Sequence, residues 1–452
     1  MTTIEKTTQL LNNIDKQWDD DQYPLVVKKL YEQAIELYWE LLDKSLPAVV
    51  SVILYRTLFE QLVTILFILS DKNEMNHRAI LFDNSAQLRL KLRLKQSYSQ
   101  TEVLKESDTL STFFNDYPYH GVIEQLNYDI RRHEQAFDEI AKNYMSESSI
   151  QQDVRRRRWY RMEPGVYKNV TTRVENLRDI AEYLLGDIGN DMYNAIYSFA
   201  SHINHGHWLE STEHLDHLMK AMRLPDMIND ILTEILQVMK GNKIQLFSHQ
   251  YKLVSSDIQS WFPNEQQLNS MTNNPQFKSV ISHRLSQQIE TMLQTASYFY
   301  EHHHVRFATL VLRPALEMMK HWLNYQEGAS WVKYYLENQK SFLQWLNKLA
   351  YQPATNHLEP LNQYLEKWKE AHTHSRHSHS PSSSQVMYKK KFLDEVTNGL
   401  FSVYAHGIDL DNHIYYDDVP LPGTSQNLEG LIVESMEAIK LNMAMVTEEE
   451  VE

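Results

Sequence analysis

Apolar residues recur at three- and four-residue steps along much of this chain. After Pro24, Val27, Leu30, Ala34, Tyr38 and Leu41 fall on one helical face, and Ile281, Leu285, Met292, Ala296 and Phe299 do the same later. The same spacing predicts helices around residues 120–145, 168–187, 190–203, 330–350, 388–405 and 427–446. Ala48 to Ser70 is apolar almost throughout and approaches the ~20 residues of a membrane span. Arg56, Glu60 and Gln61 interrupt it near its middle, where charge is costly in lipid, so a helix buried in a protein core is expected, with no membrane partner. Leu88 to Lys95 alternates leucine with arginine and lysine, which suits a short strand and a basic helix equally well.

The fold class that follows is all-α. Glycine supports it: 11 residues in 452, with 13 prolines, leave little material for the turns of sheet-rich folds. No cysteine is present, which removes disulfides, thiolate metal sites and a cysteine nucleophile. The opening residues lack the basic-then-apolar layout of a signal peptide, and a cytoplasmic location is expected. A formal charge of −15 disfavours sequence-independent nucleic-acid binding over the whole surface, though not at local basic patches.

Two phrases occur twice in the same order. An aromatic-rich helix precedes an apolar helix carrying Arg-x-x-x-Glu, as Arg56/Glu60 and again as Arg313/Glu317. A later helix ends Ile196-Tyr-Ser-Phe-Ala-Ser-His202 in one case and Leu400-Phe-Ser-Val-Tyr-Ala-His406 in the other. This pattern predicts two related helical-bundle modules from an internal duplication, over residues 1–243 and 275–452, joined by a connecting segment at 244–274. Approximate two-fold symmetry within the chain is expected, and a homodimer is a candidate assembly.

Arg56 and Glu60 lie four apart on one helical face and are expected to pair in apolar surroundings. Buried ion pairs often fail to repay their desolvation, so helix stability alone explains them poorly. With His202 from the later helix they form a candidate catalytic set. Histidine exchanges protons near neutral pH and arginine matches phosphate oxygens. The chemistry such a set suits is metal-independent phosphodiester or RNA cleavage. Arg313, Glu317 and His406 are the corresponding ligand-binding candidates, with Pro314 expected to kink or start its helix. The competing reading is a buried polar network that only fixes helix register.

His202, His205, His207, His214 and His217 are dense enough to raise zinc, yet match no defined metal motif, and no metal site is expected. Arg155 to Arg161 mixes cations with aromatics, so Arg158 and Trp159 become candidates for phosphate and base contact, and His205 joins them. No Walker, dinucleotide-binding or nucleophile-elbow motif occurs, and no cofactor is expected.

The order Arg56-Thr-Leu-Phe-Glu60, Trp159, Asp179-Ile-Ala-Glu-Tyr-Leu184 and Tyr193-Asn-Ala-Ile-Tyr-Ser-Phe-Ala-Ser-His-Ile-Asn-His-Gly206 resembles an uncharacterised family of helical bacterial proteins, over roughly residues 30–210. The resemblance implies a helical fold and a setting of stress or phage defence, without a reaction. HEPN-type ribonucleases use an arginine and a histidine separated by four to six residues. No arginine here has that spacing; Arg313 and His321, with seven residues between, come nearest. The expected partner is RNA or a nucleotide. The alternative is a non-enzymatic protein that presents helical grooves to a protein partner.

Overall fold

The computed structural model describes residues 3–18, 22–42, 46–152, 158–168, 170–204, 212–245, 276–324, 335–342, 344–345, 361–367, 387–406 and 414–449, with residues 266, 270 and 370. Its first half runs α1 (Thr3–Asp15), α2 (Leu25–Leu42), α3 (Ala48–Leu69), α4 (Met75–Tyr98), α5 (Thr101–Glu106), α6 (Asp108–Asp116), α7 (Tyr119–Ala141) and α8 (Glu147–Gln152). Next come α9 (Leu177–Leu185), α10 (Asp187–Met192), a π-helical segment at Tyr193–Ser198, α11 (Phe199–Asn204), α12 (Thr212–Met222) and α13 (Leu224–Met239). The second half contributes α14 (Phe277–Glu301), α15 (Val305–Asn324), a second π-helical segment at Leu393–Leu400, a short helix at Phe401–Ala405 and α16 (Glu429–Glu449). The protein is all-α. Among the described residues the sheet is one two-stranded hairpin pairing Tyr415 with Pro420 and Tyr416 with Val419, plus an isolated bridge between Met162 and Val174.

The apolar run at 48–69 becomes the centre of the molecule. Of the 22 residues of α3, every one except Glu60 is buried. It packs against α2, α9, α11, α12, α13 and the first π-helical segment, which explains why its sequence is apolar on all sides. By length and composition it is the one described helix able to cross a membrane, but 94% of its most apolar window lies inside the protein.

The ambiguous leucine alternation is helical. Within α4, Leu88, Leu90 and Leu94 are buried, while Arg89 and Arg93 are half-buried on one side and Lys91 is buried on another. The helix is sandwiched between α7 and the second π-helical segment, so apolar residues are needed on more than one face. The helix expected over 168–187 begins only at Leu177. Asn176 caps it, accepting from the Asp179 N–H at 3.1 Å, and the preceding residues are held by the Met162–Val174 bridge. Pro314 neither starts nor ends its helix: α15 runs through it.

Packing repeats between the halves. The α2–α3 hairpin receives the first π-helical segment, α11 and α13; the α14–α15 hairpin receives the second π-helical segment, residues 401–405 and α16. Buried hydrophobic residues from Leu11 to Val446 form one continuous core. Apart from Ile244, Gln245, Gln266 and Ser270, the segment 244–274 lies outside the described residues, as do His205, His207 and residues 371–384.

Gly189 shows how tightly the first π-helical segment is held. A Cβ there would sit 1.9 Å from the Ala181 carbonyl oxygen, because α10 folds back on α9 through Gly186, whose φ is 63°. Gly189→Ala is expected to cost about 1–3 kcal/mol by overpacking, read as a lower denaturant midpoint at unchanged slope.

Candidate functional site

Glu60 is the single break in the burial of α3, and it opens onto a cavity of about 890 Å³. That volume lies within the ~300–1,000 Å³ typical of small-molecule sites. Its walls carry Arg89, Arg93 and Gln96 from α4, Arg158, Trp159 and Tyr160 from the loop before α9, and Tyr193 and Tyr197 from the first π-helical segment. The second half adds Ser402, Val403 and His406.

The two halves meet chemically at Glu60 and His406, 346 positions apart. His406 Nδ1 lies 3.1 Å from Glu60 Oε1 and 3.3 Å from Oε2. Burial favours the neutral carboxyl, but the charge and hydrogen bond of His406, with Arg56 and Arg89, hold Glu60 below its ordinary pKa. Burial depresses the His406 imidazole; Glu60 opposes that shift, whereas Arg56 and Arg89 reinforce it. At neutral pH the pair is therefore a carboxylate and a neutral imidazole. An ionised carboxylate can only accept, so Nδ1 carries the proton and Nε2 keeps its lone pair. Among the described residues Nε2 has no hydrogen-bond partner.

Arg56 sits one helical turn before Glu60 and is only 5% exposed. The expected Arg56–Glu60 ion pair does not form. Arg56 instead donates from Nη2 to the Tyr197 hydroxyl at 3.0 Å, with its guanidinium 4.5 Å from the centre of that ring. Each member finds a partner from another helix, which satisfies it better than an i,i+4 pair in the less favourable order. In the second half Arg313 likewise finds a partner on another helix, donating to Asn398 at 3.4 Å, whereas Glu317 pairs within its own helix with Lys320 at 3.3 Å. Arg56 Nε and Nη1 have no partner among the described residues.

Tyr197 stacks on Tyr193 with centroids 5.0 Å apart and planes 20° from parallel. Burial raises both phenols, Tyr193 to about 12, and Glu60 raises Tyr197 further while Arg56 pulls it back. Tyr197 is thus a protonated phenol whose oxygen accepts from Arg56, leaving its own O–H to donate. The π-helical turn explains how the two rings share the wall: inserting a residue into the helix re-aims the side chains around it, a device frequent at functional sites. The second half braces this turn. The Trp345 indole donates to the Asn194 carbonyl at 2.7 Å and stacks on Phe199, centroids 4.5 Å apart.

Three arginines and three carboxylates, Glu60, Glu134 and Glu175, line the cavity. Arg89 makes no hydrogen bond or ion pair among the described residues. Among the described residues Arg93 donates to Gln96 at 3.1 Å, and Arg158 donates to the Glu175 carbonyl at 3.3 Å. Behind the wall, burial and the charges of Arg56 and Arg93 depress Arg313, so the arginines of the two halves feel one another. Trp159 packs edge-on against Phe67 and Phe82 and contributes mostly to the cavity's rigidity.

His202 is half-buried on α11 and does not line the cavity; His406 of the second half takes the place beside Glu60 that its spacing suggested for His202. His205 lies outside the described residues. Among the described residues no group of three or more histidines and carboxylates is placed to hold a metal ion. Sequence reasoning missed Arg89, Arg93 and Tyr197. Alternating leucines around the first two hid them within a core segment, and Tyr197 carried no motif beyond its place in the repeated phrase.

Residues 27–221 match the model of a family of unknown function, DUF5677. No curated protein and no solved structure matches the chain. The extent of the DUF5677 match agrees with the resemblance over residues 30–210. It also divides the cavity: the matched region supplies every described lining residue except Ser402, Val403 and His406. The histidine of the dyad therefore comes from outside the DUF5677-like region.

Proposed function

We propose that this cavity binds a phosphate-bearing ligand, and that its occupant is a nucleotide unit of RNA. The observation that carries the reading is the convergence of Arg89, Arg93 and Arg158 on one cavity that Glu60, Glu134 and Glu175 also line, with Arg56 and Arg313 behind it and Arg89 making no hydrogen bond or ion pair among the described residues. Guanidinium forks match phosphate oxygens, and the rings of Tyr160, Tyr193 and Tyr197 offer faces or edges to a base. The parallel packing of the two hairpins supports an internal duplication whose halves have specialised, one giving the carboxylate and the other the histidine. A stress or phage-defence setting fits an RNA-directed protein.

The test is titration of a short fluorescent single-stranded RNA. Binding should weaken with salt, and Arg89→Ala should weaken it about ten- to hundredfold, the equivalent of one hydrogen bond to a charged group. Unchanged affinity in Arg89→Ala and Arg93→Ala together would remove the cavity from consideration. A helical groove serving a protein partner would then be the better reading.

A further inference from the structure

The cavity holds more than an anion site requires. An arginine cluster is enough to bind phosphate, but the same cavity also carries a neutral imidazole backed by a carboxylate and a phenol backed by a guanidinium. Glu60 fixes the His406 tautomer through Nδ1, leaving the Nε2 lone pair as a base. Arg56 occupies the Tyr197 oxygen, leaving its proton as an acid and standing ready to stabilise a phenolate. A base, an acid and cations beside the phosphate are the three things that in-line transesterification of a phosphodiester needs. RNA brings its own nucleophile in the 2′-hydroxyl, so no residue is required to position an attacking water.

We propose that the protein cleaves RNA by internal transesterification, with His406 as the general base and Tyr197 as the general acid. This inference rests on the binding reading above. His406 Nε2 takes the 2′-hydroxyl proton as O2′ bonds to phosphorus. The P–O5′ bond breaks, and O5′ takes the Tyr197 proton. The products are a 2′,3′-cyclic phosphate on one fragment and a 5′-hydroxyl on the other. The imidazolium proton then returns through water to the tyrosinate, restoring both groups. Arg89 and Arg93 offset charge on the non-bridging oxygens. Glu60 and Arg56 are positioning residues, each acting through its partner. His202, outside the cavity, has no part in the step.

The experiment uses the full chain, a labelled single-stranded RNA and the same sequence as DNA, which lacks the nucleophile. Wild type should cut the RNA to fragments ending in 2′,3′-cyclic phosphate, and should bind the DNA without cutting it. His406→Ala should lower the cleavage rate at least a hundredfold while still binding the DNA. Tyr197→Phe should also slow cleavage, and because it keeps the ring it guards against a folding defect at His406. Glu60→Gln keeps an acceptor for Nδ1 but removes the charge, and should shift the pH profile of cleavage. DNA bound with RNA bound but uncut, or cleavage retained in His406→Ala, overturns the proposal while leaving the binding reading intact. Failure of both oligonucleotides to bind overturns both.

Discussion

Replacing Glu434 with alanine is expected to cost the fold about 3–5 kcal/mol, the range for removing one partner of a buried charged network. This carboxylate on α16 is 6% exposed and holds the start of α6 from outside that helix. It accepts from the Ser107 hydroxyl at 2.8 Å, the Asp108 N–H at 2.8 Å and the Thr109 N–H at 3.3 Å. The Lys389 ammonium lies 2.8 Å away and also reaches Asp108 at 2.9 Å. Helix N-termini leave N–H groups unsatisfied and carry partial positive charge, so the carboxylate serves them twice over. Alanine would strand two N–H groups, a hydroxyl and part of a lysine charge. Glu434→Gln should recover part of the loss, because its amide oxygen still accepts. Chemical denaturation checks both, and an alanine variant within 1 kcal/mol of wild type would show that α16 is not tied to α6 through this group.

Acid is expected to destabilise the protein through His133. Burial first, then the neighbouring Lys91 and Arg132, depress its imidazole to about 4. It is neutral in the folded state, accepting at Nε2 from Lys91 at 3.0 Å and donating from Nδ1 to Asn84 at 2.7 Å. Lys91 is itself pushed down to about 8, chiefly by burial, with Asp129 and Asp83 opposing and Arg132 assisting. The folded pKa of His133 is below the unfolded 6.5, so the unfolded chain binds the extra proton between those values. The contribution is whole above pH 6.5 and is lost as pH falls through 4, amounting to roughly 3 kcal/mol at about 1.4 kcal/mol per unit. Lys91 has the same sign in a higher window, adding stability as pH rises from about 8 to 10.5. His133→Gln, which keeps an acceptor for Lys91 without titrating, should flatten the acid limb in stability measured between pH 7 and 4. A limb as steep as that of wild type would place the acid sensitivity elsewhere.

Much of the fold could be read from the sequence because local patterns determine it. The steps at Val27 to Leu41 and Ile281 to Phe299 became the first helices of two matched hairpins, and the apolar run at 48–69 became the central helix. Glu60 stood out for a sound reason, since a carboxylate in such a run demands a partner. What the sequence could not show was which partner. His202 and His406 end the same repeated phrase, and only tertiary packing brings residues from 401–406 beside α3, where the Thr57 hydroxyl bonds the Ala405 carbonyl at 3.3 Å. The two π-helical turns leave no signature in hydrophobic spacing, so the aim of Tyr193 and Tyr197 was equally hidden. Arg89 and Arg93 lay in a segment where helix and strand fit alike, and the two assignments send them in different directions.

The composite cavity is tested most directly by a crystal structure of the protein with a short DNA analogue of the proposed RNA ligand. A backbone phosphate is expected within hydrogen-bond reach of Arg89, with the sugar beside His406 Nε2 and the Glu60–His406 pair intact. A nucleic acid seated on an outer face with the cavity unfilled, or His406 turned away from Glu60 when the ligand is bound, would contradict it.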